Sequence, residues 1–116
     1  MKYLMLIAEP ENAYEGEAGE AKLTEIVGKH MALVAELQAA GALLGGDGLQ
    51  PSFTATTVRT QGGAQTVHDG PFAETKEQVG GYYLIEAADL DAALAWAKKI
   101  PVVDGGMVEV RPVAEY

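Results

Sequence analysis

The sequence predicts an α+β domain in which one antiparallel sheet carries two helices on one side, and three observations lead there. Short apolar runs suited to strands alternate with two segments whose apolar residues recur every three or four positions. Their order is strand, helix, strand with a hairpin, strand, helix, strand. The chain has 116 residues, 48% hydrophobic and 22% charged, which is the size and composition of one domain around one core.

The first strand is the nearly continuous apolar run KYLMLIA, Lys2 to Ala8. Pro10 lacks a ladder donor and the following ENAYEGEAGE is poor in β-formers, so a mobile acidic loop is expected there. From about Lys22 to Ala40, the residues Leu23, Ile26, Val27, Leu33, Val34 and Leu37 mark one side of a helix. Gly41 is suited to end it, because glycine adopts the left-handed C-terminal conformation most cheaply. ALLGGDGLQP reads as a strand interrupted by a bulge or close backbone approach at Gly45, Gly46 and Gly48. FTATTVRT, the turn signal QGGA and the returning QTV form a hairpin. Next comes HDGPFAE, a structured loop in which Asp69, Gly70 and Pro71 supply turn chemistry and Phe72 plugs the turn into the core. GGYYLIEA alternates as a strand, with Tyr82, Leu84 and Glu86 on one face and Tyr83, Ile85 and Ala87 on the other. Asp89 caps LDAALAWAKKI, whose apolar stripe is Leu90, Ala93, Leu94 and Ala97, and Lys98 and Lys99 suit its negative end. Pro101 and DGG break the chain before MVEVRPV, the last strand.

Assembled, residues 1–116 form a single ferredoxin-like βαββαβ domain with an inserted hairpin. Two helices cover only one face of a four-stranded sheet, so the other face, with its apolar strand residues, meets water in a monomer. A homodimer in which the two sheets associate face to face buries that patch symmetrically.

The formal charge of -9, from eight Lys and Arg against 17 Asp and Glu, argues against nucleic acid and anionic membranes as partners. No apolar run approaches the roughly 20 residues of a membrane span, and the first is too short for a secretory segment, so a cytoplasmic protein is expected. Without Cys there is no disulfide, thiol chemistry or thiolate metal site. The two His, His30 and His68, lie in no metal-ligand spacing, so no metal is expected. GGDG and DGG lack the residues of phosphate or dinucleotide loops, Ser52 lacks a nucleophile elbow, and no cofactor is implied.

Two places could hold chemistry. His30 follows Ile26 by four and precedes Leu33 by three, which sets it on the helix face toward the sheet. His68, Asp69, Glu74, Lys76 and Glu77 crowd within ten positions. An imidazole titrates near neutrality, and a carboxylate on one ring nitrogen fixes its tautomer and raises basicity at the other, so His30 with Asp69 is the candidate catalytic pair. The cleft expected between sheet and first helix, bordered by His30 and by His68, Gly70, Pro71 and Phe72, would take a small organic ligand, with Glu74 and Tyr82 as further contacts. Glu74 and Lys76 also suit an ordinary solvated pair.

DGPFAETKEQVGGYYLIEAADLDAALAWAKKIP followed by VEVRPV, together with KYLMLI and AAGALLGGDGLQP, resembles the DGPF-type branch of the YCII-related proteins over nearly the whole chain. The resemblance implies a dimeric α+β barrel, related in architecture to small monooxygenases and muconolactone isomerases. It also implies an association with extracytoplasmic-function sigma factors, and so an alternative role as a non-catalytic accessory or sensor protein. In YCII-related proteins a His precedes the Gly ending the first helix by the same interval as His30 precedes Gly41, and is thought to work with an Asp. Near the end of the second helix, where YCII proper commonly reads Asp-Pro-Tyr, this chain reads Ile100, Pro101, Val102. Asp69 or Asp47 would then supply the carboxylate.

Overall fold

The computed structural model describes residues 1–116. In chain order the elements are β1 (Lys2–Pro10), α1 (Gly16–Ala39), β2 (Leu43–Gly48), β3 (Thr56–Gln61), β4 (Ala64–Asp69), β5 (Glu77–Glu86), α2 (Leu90–Ala97) and β6 (Met107–Pro112). Short 3-10 turns occupy Glu11–Tyr14 and Ser52–Thr54. Four strands form one antiparallel sheet in the order β2-β5-β1-β6, and β3 and β4 pair with each other in a separate two-stranded ribbon. Two helices on a mainly antiparallel sheet make an α+β protein, an arrangement consistent with a ferredoxin-like fold.

Alternation along the central strands decides which side is covered. Tyr3, Met5 and Ile7 of β1 and Tyr83 and Ile85 of β5 are buried, and they meet Leu33 and Leu37 of α1 and Ala93 of α2. Met5, Leu37 and Ile85 are the most completely enclosed large side chains, each stabilising the fold by about 1.5–3 kcal/mol. On the opposite face Leu4 pairs with Leu84 and Leu6 with Tyr82, all only half-buried, and β6 adds Glu109 beside Leu6 and Arg111 beside Leu4. No element of the chain covers this second face.

The structure corrects several local expectations. The acidic segment after Pro10 is ordered: a 3-10 turn is followed by α1, which starts six residues before Lys22. Gly19 permits this, since a Cβ there would fall 2.2 Å from the Tyr14 carbonyl carbon. On α1 the buried line is Ile26, Leu33 and Leu37, while Leu23 and Val27 are about half exposed and Met31 more so. At 100° per residue these three lie progressively round the helix from Ile26, beyond the strip that the sheet meets. On α2, Ala93 is fully buried with Ala92, Trp96 and Ala97 against the core, whereas Leu90 and Leu94 turn outward. Small residues let this helix approach closely, and its leucines flank the contact.

His68 and Asp69 belong to strand β4 and not to a loop, and Phe72 is 73% exposed, so it plugs no core. Gly62 and Gly63, with φ of 59° and 80°, form the two-residue turn of the ribbon, where both positive dihedrals match the strand twist. At its base Gly70 N–H donates to Ala55 O over 2.7 Å, Thr57 Oγ1 to Gly70 O over 2.7 Å, and Arg59 Nη2 to Phe72 O over 3.0 Å. The DGP segment is therefore held as the return of a projecting ribbon. The molecule is correspondingly flat, 46 × 45 × 19 Å.

Candidate functional site

The seam between α1 and the sheet brings together the most chemically capable side chains. The His30 and Tyr83 rings are nearly parallel, 26° apart with centroids at 5.8 Å, and the Tyr83 hydroxyl lies 2.7 Å from His30 Nδ1. Burial pushes His30 below the ordinary imidazole value, opposed by the Glu9 charge and the Pro101 carbonyl, and burial pushes Tyr83 up. With both groups neutral, the direction of this bond follows the imidazole tautomer: where Tyr83 O–H donates to Nδ1, Nε2 carries the ring proton.

Glu9 organises the next layer. Its Oε2 accepts from Tyr14 O–H and from Val103 N–H, each over 2.8 Å, joining β1, the 3-10 turn and the loop before β6. Burial, then the hydrogen bond and charge of Glu9, raise the Tyr14 hydroxyl well above the usual phenol range. Gly106 permits the approach, because a Cβ there would sit 2.8 Å from Val103 O and 3.2 Å from Glu9 Cγ. Beside this seam, a groove of about 330 Å³ runs between the first half of α1 and the loop before β6, lined by Ile26, Lys29, Val102 and Val103 among others.

The other sequence candidates lie elsewhere. Asp69 pairs with Thr56 in the ribbon and is absent from the surroundings of His30, so these two residues are not brought together within one chain. Asp69, Gly70, Pro71 and Glu74 do share a hollow of about 510 Å³ at the ribbon base, with Phe53 and Gln78 also on its wall, and it is open to solvent. His68 and Phe72 do not line it, and Glu74 and Lys76 form no ion pair. Tyr82 faces the uncovered side of the sheet, where its O–H donates to Asp47 Oδ2 over 2.9 Å and the Asp47 carboxylate raises the phenol. Asp47 is thus engaged on the side of the sheet away from His30. Ser52 sits in the 3-10 turn, its N–H donating to Glu11 Oε2 over 2.7 Å. No three His, Asp or Glu side chains cluster as metal ligands.

Glu9, Tyr14 and Tyr83 were missed as site residues by sequence reading. One signal was available: Glu9 continues the alternation of Tyr3, Met5 and Ile7, which places a carboxylate on the helix-covered face of β1.

Comparison with known proteins adds two findings. The model of the YCII-related domain matches residues 1–116. The uncharacterized protein R00369 of Rhizobium meliloti (strain 1021) is 49% identical over 70 residues, a region covering 59% of this chain and 56% of that protein.

Proposed function

The chain belongs to the YCII-related family, and within it we propose a homodimer that binds a small organic ligand along the groove beside α1 and acts on it, without cofactor, through the Tyr83–His30 pair. The observation that carries this reading is the 2.7 Å contact between Tyr83 and a half-buried imidazole kept neutral by its surroundings. With Nδ1 occupied by the phenol, the Nε2–H side is the end of the pair left to a ligand, near the Pro101 carbonyl. A ligand acceptor that displaced this carbonyl would receive a hydrogen bond from Nε2–H. An acidic ligand proton would instead be taken at Nε2 by the other neutral tautomer, in which Nδ1–H donates to the Tyr83 oxygen, and Glu9 favours the imidazolium so formed. Asp69 takes no part within the same chain.

A second reading, ligand sensing without turnover, rests on a specific observation: no carboxylate touches the ring, and Glu9 is already committed to Tyr14 and Val103. NMR titration of the His30 ring nitrogens tests the shared premise. A midpoint below 6.5, lowered further by Glu9→Gln and raised by Tyr83→Phe, is expected. A solvent-like midpoint indifferent to both substitutions would remove the pair. Conversion of a co-purifying small molecule by wild type but not by His30→Gln would separate catalysis from sensing.

A further inference from the structure

We infer that the β3–β4 ribbon is an assembly arm that packs onto a second copy of this chain, adding to the contact made by the uncovered sheet face. This rests on the homodimer reading and assigns the ribbon and its DGPF return a role that reading does not require.

The first argument is area. The chain exposes 7846 Å², whereas a compact 12.2 kDa monomer is expected to expose about 6,100 Å². Its Cα radius of gyration is 15.9 Å, against about 13 Å for a compact domain of this length. The uncovered sheet face does not account for the need alone. Its strands are six, ten, nine and six residues long, and at about 4.8 Å spacing they give a projected area of roughly 500 Å², below the ~800 Å² of accessible surface that each partner covers in a standard interface. Exposed apolar side chains on and beside the ribbon, Phe53, Val58, Val67 and Phe72, are surface that can add to it.

The second argument is that the ribbon has no support of its own. A two-stranded antiparallel pair is marginal in water unless it packs on something. In this ribbon only Thr57 and His68 are even partly shielded. Pairing register separates its two faces: Thr57, Arg59 and His68 share the face that the Gly70–Phe72 return ties down through Thr57 and Arg59. The other carries Thr56, Val58, Thr60 and Val67 with Gln65 and, at the base, Asp69; at its centre Val58 and Val67 stand directly opposite each other, 58% and 68% exposed. Phe53 and Phe72 flank the base at 81% and 73% exposure. Aromatic residues with this much surface, at the base of a strand pair whose charged side chains are Arg59 and Asp69, match the composition of an interface centre. The hollow between Phe53 and Glu74 also lacks the apolar enclosure of a small-ligand pocket, since Phe53 is its one hydrophobic wall. It is a seat for polypeptide from the second copy.

The test measures the dimer dissociation constant by sedimentation equilibrium for wild type, Phe53→Ser/Phe72→Ser, Val67→Lys and, on the sheet face, Leu6→Glu, with circular dichroism to verify folding. The ribbon variants are expected to fold and to weaken the dimer about tenfold or more, and Leu6→Glu to weaken it as well. A wild-type dimer that is lost in Leu6→Glu but intact in both ribbon variants would overturn the arm and leave the sheet-face dimer standing. A monomeric wild type would overturn both. Because the chain has no Cys, a nitroxide on Gln61→Cys gives a second readout that removes no contact residue. In mixed dimers it should broaden amide signals of the isotope-labelled copy, and absence of intermolecular broadening in a wild-type-like dimer would equally overturn the arm.

Discussion

The α1–sheet seam and the β3–β4 ribbon are built from similar residue types and resolve them in opposite ways. In the seam, each polar group that enters finds a partner from a different element: Tyr83 with His30, Tyr14 and Val103 with Glu9. Apolar neighbours close over them, with Ile85 and Ala93 fully buried. In the ribbon the backbone and the DGP return are equally well bonded, yet valines and phenylalanines stand in water. Local hydrogen bonding can thus be complete where hydrophobic burial is not. The seam is finished within one chain, and the ribbon leaves its apolar side chains exposed.

Substitutions can sharpen or break that contrast. The largest effect belongs to the seam: Ile85→Ala removes a side chain with no exposed area and should cost about 2–5 kcal/mol in denaturant unfolding. A loss under about 1 kcal/mol would mean a looser core than the packing implies. Glu9→Gln comes next, at about 1.5–3 kcal/mol, because a charged acceptor serving two donors from separate elements is replaced by a neutral one. An unchanged urea midpoint would contradict its role in joining β1, the 3-10 turn and the loop before β6.

The pH dependence follows from the depressed imidazole. Between the folded-state midpoint and about 6.5 the unfolded chain binds the His30 proton more readily than the folded one. This contribution to stability is therefore full above about pH 6.5 and is lost as pH falls through the folded midpoint. Unfolding measured from pH 7.5 to 5 should show that loss, and His30→Gln should flatten it; identical slopes would place the titration elsewhere. The smallest effect on folding belongs to the ribbon. Phe72→Ser, at a side chain 73% exposed, should change the unfolding free energy of the dissociated chain by no more than about 0.5 kcal/mol. A loss of several kcal/mol would mean that Phe72 is packed within its own chain.

Most of the fold was legible because period-2 and helical spacing report burial directly. Tyr83, Ile85 and Ala87 fall on the buried face that alternation assigns them, and Asp89 accepts from Ala92 N–H as an N-cap should. Gly46 meets the Tyr82 carbonyl closely, and the β2 register shifts beside it, where glycines had marked an irregular strand. The start of α1 was illegible because Gly16 and Gly19 resemble loop residues until the Tyr14 carbonyl occupies the space that a Cβ would need. Phe72 misled for a different reason: apolar side chains are also common on protein surfaces, so hydrophobicity alone does not place one in the core. The site was read least well. His30 was placed correctly on the sheet-facing side, but its neighbours Tyr83, Glu9 and Pro101 come from three separate segments, and no sequence spacing encodes that convergence. Asp69 was drawn in by chemistry alone, and the ribbon carries it away.

The central claim is that this chain is a half-structure closed by its own copy. Sedimentation equilibrium of the unmodified protein at micromolar concentration, near neutral pH and moderate salt, tests it most directly. The account predicts a mass twice the 12.2 kDa of the chain; a single-chain mass across that range would contradict it.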